Sequence, residues 1–388
     1  MTFLSLTNPK TLPGDLRVAE SASKIDLSAF NGQSALRNTV SETGSATVTS
    51  ADGETELATT ASGTDECSID STERVRFDAG SQAQILITGR RPSAPTGNID
   101  YRAGAFDADN GFGFGEDATS PFVFDRSGAV ETLVRQGTWN QDNLDGTGPS
   151  GITGDFTAGV FLSITYDCYC YGTVVFAIKL YDSSTGLNVN VPVHILRRTG
   201  SVQTENPNVP VRVELANNAT ATAYSIFFGV RAFRSFTPNN PDVRLTGQYR
   251  LNQSPTTTFI PTISFRRKTA FSHIKAFVAA YECITDTDLI IQIRVNGSLT
   301  GASWATPSDH TAGETAMEAD ISATAITGGE VIYESLAFGG SRNNDKGEGK
   351  EALIGLDIPE SQPVTLCVRT TTGSATRIDS VFRMAEFW

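Results

Sequence analysis

Basic side chains, histidines, sulfur and long apolar runs are all scarce in this chain. Lys and Arg total 30 against 43 Asp and Glu, a formal net charge of -13 with a pI near 4.8. Nucleic-acid and anionic-membrane binding both need clustered cations to displace counterions, so that balance argues against either partner. The short basic clusters at 90–91, 197–198 and 266–268 cannot line a phosphate-tracking groove and read as strand ends facing water. No segment approaches the ~18 apolar residues of a membrane span, and the first residues lack the cationic start of a signal peptide. A soluble protein without membrane insertion is expected. Five cysteines, Cys67, Cys168, Cys170, Cys283 and Cys367, are an odd number and suit a reducing compartment better than a disulfide framework.

Catalytic signatures are missing as well. The three histidines, His194, His273 and His310, stand far apart with no nucleophile motif beside them, and His194 reads as a partly exposed strand residue. There is no Gly-x-Ser-x-Gly elbow and no phosphate loop. Cys168 and Cys170 make a Cys-x-Cys without two further ligands at recognisable spacing, so they read as a sheet-edge pair. Asp107 and Asp109 have the oxygen spacing of a Ca²⁺ turn, but Ala118 stands where an EF-hand needs its acid; an Asx-stabilised hairpin is the competing reading. Acids such as Glu116, Asp117, Asp142, Asp145 and Glu214 leave glycan hydrolysis by paired carboxylates as an option that spacing alone does not support. No cofactor and no metal are called for, and the chain is read as non-enzymatic.

What the chain does have is strand sequence. Apolar residues are 39% and charged residues 19% of 388, enough for a core, and the Gly, Ser and Thr excess favours strands and turns. β-Branched and aromatic runs recur at 84–87, 122–124, 161–166, 173–181, 189–195, 209–215 and 224–230, then at 262–266, 288–295, 331–333, 364–369 and 378–384. Residues 182–186 and 217–220 read as hairpin turns between such runs. Residues 270–283 fit a helix or a strand pair. The polar, proline-rich stretch 237–242 marks a boundary. The expectation is an all-β chain: an N-terminal arm with edge strands over 1–75, for which a loosely attached first sheet of the next domain is the equal alternative, a sandwich or jelly roll over 76–236, and a second over 243–388.

The densest motif follows Trp139. Asn140, Asp142 and Asp145 are turn formers, Gly146, Gly148 and Gly151 allow unusual backbone angles, and Pro149 fixes its own φ. The segment reads as an ordered surface loop in which Asp142 and Asp145 either cap the loop's amides or hold a cation. Trp139 and Trp304 read as packing anchors, with sugar stacking as the competing role.

The order Trp-Asn-x-Asp-x-Leu-Asp-Gly-Thr-Gly-Pro-Ser-Gly from Trp139 to Gly151 resembles a motif of tailed-bacteriophage virion proteins, especially accessory or fibre-type proteins of environmental phages. The resemblance extends to 111–115, 206–212, 296–304 and 322–330, and departs from the family at 166–172, where Tyr-Asp-Cys-Tyr-Cys-Tyr-Gly replaces a Trp-Leu-Gly run. It implies a β-sandwich virion component that is structural and multimeric, most simply a homotrimer, made in the host cytoplasm and partnered by other virion proteins. Fibre, spike and capsid-decoration roles all fit, with host-surface glycan as an attachment target. A carbohydrate-binding adhesin module using sandwich-end loops is the alternative.

Overall fold

The computed structural model describes residues 22–75, 82–167, 172–198, 204–219, 222–236, 243–271, 274–308, 310–339, 344–348, 358, 362–373, 375 and 377–387. The expected arm at 1–21, the boundary stretch 237–242, the Cys168 and Cys170 pair and His273 lie outside the described residues. The chain divides into two compact units, residues 1–239 and 240–388.

The first unit contains strands β1 (Ala22–Ser28), β2 (Asn38–Thr43), β3 (Thr47–Ala51), β4 (Glu54–Thr59), β5 (Glu66–Arg74), β6 (Gln82–Arg90), β7 (Ile99–Phe106), β8 (Gly111–Asp117), β9 (Pro121–Ser127), β10 (Val130–Arg135), β11 (Val160–Asp167), β12 (Thr173–Asp182), β13 (Leu187–Arg197), β14 (Pro210–Asn217) and β15 (Tyr224–Ser235). One sheet runs β13-β12-β11-β6-β15-β4-β3, with β1 also paired to β15; the other runs β10-β9-β8-β7-β14-β5-β2. The pairings are antiparallel. Side chains from both sheets fill one core, and the edge-to-face pairs Phe112–Tyr166 and Phe114–Phe176 join β8 to β11 and β12 across it. The unit is a β-sandwich.

Residues 22–75, read as an arm with edge strands or as a loosely attached first sheet, are divided between the two sheets, with β2 and β3 as outermost strands. β4 and β5 have partners on both sides, and β1 lies along β15. Their signal in the sequence is weak because β4 buries only Thr55, Leu57 and Thr59 and β2 faces solvent along most of its length. The turn expected at 217–220 is a second difference, since β14 and β15 lie in different sheets and the segment crosses between them. By contrast 182–186 is a hairpin turn joining β12 to β13, closed by Gly186 N–H donating to the Asp182 carbonyl at 2.8 Å.

Arg231 locks the two sheets together. From β15 its Nη1 donates to the Ile69 and Val211 carbonyls at 3.0 and 3.2 Å, and its Nη2 donates to Asn38 Oδ1. Val211 sits where the β14–β5 register slips between Pro210 and Arg212, so the guanidinium reaches a carbonyl where the ladder is interrupted. Burial lowers its pKa to about 10.

The second unit contains β16 (Val243–Gln253), β17 (Ile260–Arg267), β18 (Lys275–Thr285), β19 (Leu289–Val295), β20 (Ser298–Thr300), β21 (Met317–Asp320), β22 (Ala325–Thr327), β23 (Glu330–Ala337), β24 (Asn344–Glu348), β25 (Val364–Thr370) and β26 (Ile378–Phe387). A sheet β16-β26-β18-β24 and a sheet β21-β17-β25-β19-β23 enclose its core, where Phe265 of β17 meets Phe382 of β26. β20 and β22 form a small separate ribbon. The segment that fitted either a helix or strands is mostly β18, with a register shift between Val278 and Ala280. The chain is all-β, with two antiparallel sandwiches.

Candidate functional site

The loop that leaves β10 folds onto the outer strand β13 before folding on itself. After a 3-10 turn at Gln136–Thr138, Trp139 turns inward, is 6% exposed and donates from Nε1 to the Val134 carbonyl at 3.1 Å. Its ring lines an apolar cavity of about 50 Å³ with Phe114, Phe122, Phe156, Val160 and Leu162. The indole is a packing anchor with its N–H satisfied, and the stacking role fails for Trp139 because the ring is covered.

Asn140 then extends the β13 ladder with its side chain. Its Nδ2 donates to the Ile195 carbonyl and its Oδ1 accepts from Ile195 N–H, both at 2.8 Å. Gln141 and Asp142 N–H donate to the Val193 carbonyl at 3.1 and 3.3 Å. Asn140 N–H meets His194 Nδ1 at 3.3 Å, which requires that nitrogen unprotonated. His194 is buried rather than partly exposed, because the register shift between Phe176 and Ala177 in the β12–β13 pairing and the loop above it enclose the ring. That burial lowers its pKa.

Asp142 is the hub of the loop. The residue is 4% exposed, with Oδ1 accepting from Leu144 N–H at 2.8 Å and Oδ2 from Ser150 N–H at 2.7 Å. Gly148 is needed here for space, since a Cβ on it would lie 2.5 Å from Asp142 Oδ1. Asp145, on the exposed side, caps Thr147 through its N–H at 2.8 Å and its hydroxyl at 2.7 Å. Gly146 at φ 84° turns the chain so that its N–H reaches the Ile152 carbonyl, and Gly154 N–H returns to Leu144. Pro149 and Gly151 form the exposed tip. Both aspartates cap the loop's own amides, as one of the two sequence readings held.

The second unit repeats the device. Asp320 Oδ1 accepts from Ser303 N–H at 2.8 Å and from the Ser322 N–H and hydroxyl at 3.0 and 2.6 Å, while Oδ2 accepts from Ala323 N–H at 3.1 Å. Trp304 therefore sits on a fixed turn. It is half-buried, with the Arg266 guanidinium 4.5 Å from its ring centre and Arg266 in turn paired to Glu318 at 2.8 Å.

The other candidate groups are engaged in structural contacts. Asp107 Oδ1 accepts from Asp109 and Asn110 N–H at 3.0 and 2.9 Å and Oδ2 pairs with Arg74 at 3.2 Å, an Asx turn tied to an ion pair. Glu116 is buried, accepts from the Tyr101 hydroxyl at 2.9 Å and pairs with Arg91 at 2.5 Å; burial raises its pKa. Asp117 is clamped by both terminal nitrogens of Arg135 at 2.8 Å, which pull its pKa down. Cys67 and Cys367 are buried thiols pushed up to about 12. His310 places Nδ1 3.0 Å from the Ser308 carbonyl in a loop. Among the described residues no three His, Cys, Asp or Glu side chains gather as metal ligands.

One feature of the first unit was not anticipated from the sequence. On the outer face of the β10–β2 sheet, Phe106, Phe122 and Phe124 form their own buried cluster. A Cβ on Gly113 or Gly115 would come within 2.7 Å of the Phe124 ring or 2.4 Å of the Phe122 ring, so the alternating glycines of β8 make the floor. Arg102, Arg126, Arg135 and Arg212 lie over the rings at 5.5–5.9 Å from their centres. Glu131 links Arg102 and Arg126 at 3.1 and 2.6 Å, and Glu214 holds Arg212 at 2.9 Å. The signal was present in the alternation Gly-Phe-Gly-Phe-Gly beside Phe-Val-Phe, but only the pairing of β8 with β9 gives it meaning.

No family model matches the sequence, and no curated protein matches it. Among solved structures the chain is similar to a protein of unknown function from Shewanella oneidensis MR-1, at 10% identity and TM-score 0.36 over 62% of this chain and 98% of that one. It is also similar to the metal-free lectin I-B4 of Griffonia simplicifolia, at 10% identity and TM-score 0.34 over 56% and 99%. A carbohydrate esterase from Shiga toxin-encoding bacteriophage phi24B aligns at 14% identity and TM-score 0.34 over 55% and 99%. Scores and identities of this size carry no functional information.

Proposed function

We propose that the chain is a non-enzymatic structural subunit of a tailed-phage particle, acting by assembly with itself and with other virion proteins. The observation that carries the reading is the Asp142 loop. In the segment that resembles virion proteins, the tryptophan is sunk into the core and both carboxylate oxygens of the central aspartate are taken by loop amides. Such a loop keeps its shape without a ligand and offers a rigid docking feature in place of a reactive one. The clustered carboxylates elsewhere are neutralised by arginines, which suits scaffold better than acid–base chemistry. Light scattering of the purified chain at micromolar concentration is expected to give a stable oligomer, most simply a trimer. Release of reducing ends from a panel of bacterial surface polysaccharides is the result that removes the non-enzymatic reading.

A carbohydrate-binding adhesin is the second reading, favoured by Trp304. The half-buried indole carries the Arg266 guanidinium over its ring, with Arg266 paired to Glu318; an aromatic ring grouped with hydrogen-bonding side chains is the combination that sugar rings use. A glycan array that lights up with the wild type and goes dark with Trp304→Ala supports it, and an unchanged array rejects it. Trp139→Ala is a poor probe because it opens the core.

A further inference from the structure

The outer strand β16 has its amphipathic pattern inside out. Its buried positions include Thr246 and Gln248, while Val243, Leu245, Tyr249 and Leu251 are 50%, 59%, 48% and 51% exposed. An alternating apolar stripe is what a strand sequence carries on the face it buries, so among the described residues this stripe lacks the layer it is written for. The neighbouring strands continue it. β16 pairs with β26 so that Leu245 lies beside Ala385 and Tyr249 beside Val381, and β26 pairs with β18 so that Ala385 lies beside Phe277. Phe277 and Phe387 meet at 5.0 Å on the same face, and Ile284 adds another side chain 49% exposed.

We propose that this face of the second unit, built by β16, β26 and β18, is the surface on which a second copy of the chain packs. The inference rests on the self-assembling reading above and names the surface that assembly uses. Charge selects the occupant. The chain carries -13 overall, so copies repel one another over most approaches, whereas the charged groups here are Lys275, the Arg383–Glu282 pair at 2.8 Å and, at one end, Asp379 paired with Arg377. This face carries no excess of acid, and a basic partner drawn by the chain's charge would settle elsewhere. Size agrees as well. Strands of 10 and 11 residues at about 3.3 Å per residue and about 4.8 Å apart offer roughly 500 Å² before side-chain relief is counted. That approaches the ~800 Å² per partner of a standard interface and is at the upper end of the largest apolar patch a monomer usually exposes, about 300–600 Å². β16 is also the outer strand of its sheet among the described residues, so its edge is available to the same neighbour.

The test is the mass of three full-length chains by light scattering at about 50 µM: the wild type, Leu245→Glu with Tyr249→Glu, and Val130→Glu as a control on the exposed β10. The wild type and control are expected to share one multimeric mass and the double variant to fall to the monomer. A wild-type monomer overturns both the proposal and the self-assembling reading. A double variant that keeps the wild-type mass overturns the surface alone. Hydroxyl-radical labelling of the wild type gives a reading without any substitution: Tyr249 should be labelled several-fold less than an isolated half-exposed tyrosine such as Tyr181, and full labelling in a proven multimer overturns the proposal.

Discussion

Asp65, Asp142 and Asp320 each hold a bend of the chain through both carboxylate oxygens. Asp65 accepts from Ser45 N–H and from the Thr60 N–H and hydroxyl at 2.6–2.8 Å; the other two have been described. Removing Asp142 leaves the Leu144 and Ser150 amides without partners at about 1–3 kcal/mol each. Asp142→Ala is therefore expected to lower unfolding free energy by about 2–4 kcal/mol and to speed hydrogen exchange at those two amides. Asp142→Asn, which keeps one acceptor, should fall between. Unchanged exchange at Leu144 and Ser150 would contradict the hub role. Asp70 predicts the opposite kind of response. Burial raises its pKa to about 6 against the ordinary 3.8, outweighing Arg212. The folded state then binds the proton more tightly than the unfolded one, so stability rises as pH falls through about 6 and this gain is complete below about 4. Asp70→Asn removes that slope, and urea denaturation should show the variant gaining on the wild type as pH is raised from 5 to 7.5. A pH-independent difference between the two proteins would refute it. The sequence exposed the turn-forming residues of the Asp142 loop and offered capping as one of two roles for its aspartates. It did not expose the Asn140 contacts to His194 and Ile195, because partners more than fifty residues away leave no local pattern.

At the level of the strand, legibility followed how one-sided the burial is. β12 and β15, rich in Val, Ile and Phe, declare themselves, while β2 buries only Asn38, β3 only Val48, and β4 one Leu between two Thr, and the three read as arm. β16 was not among the runs read as strands, although it alternates cleanly; its stripe faces solvent, so the alternation alone would mislead about which side is core. The β8 glycines have a reason that a single strand does not reveal: the Phe122 and Phe124 rings of β9 occupy the volume a side chain would need. Gly115→Ala is expected to push the Phe122 ring outward and to cost about 1–3 kcal/mol, the range for overpacking a filled site. The measurement is chemical denaturation, read beside Gly137→Ala, where nothing lies within 4 Å of the added methyl. Equal costs at the two positions would mean that the rings do not rest on the glycines as described.

Taken whole, the chain is two antiparallel sandwiches, and its all-β class was legible because strand-forming runs recur along its length. The assignment of strands to sheets was not, as the crossing at 217–220 shows; a turn sequence fixes where the chain bends and not which layer the next strand joins. Chemical reactivity should reflect the depth of the two cores. Of five cysteines in the sequence, Cys67, Cys283 and Cys367 are buried, which leaves two. A thiol reagent applied to the native protein at pH 7.5 is expected to titrate no more than two groups promptly and all five in denaturant; rapid reaction of a third would show a core that opens. The order of pairing in the first unit bears on biosynthesis. β15 is the strand against which β6, β4 and β1 are all laid, yet it is the last of the four to leave the ribosome. At roughly 5–20 residues per second, β6 waits on the order of ten seconds for its neighbour, and β1 and β4 wait longer. During that interval the β6 edge that will meet β15 has no partner, and an unpaired strand edge is a site of mispairing, so the risk to the chain is concentrated in synthesis, before β15 arrives.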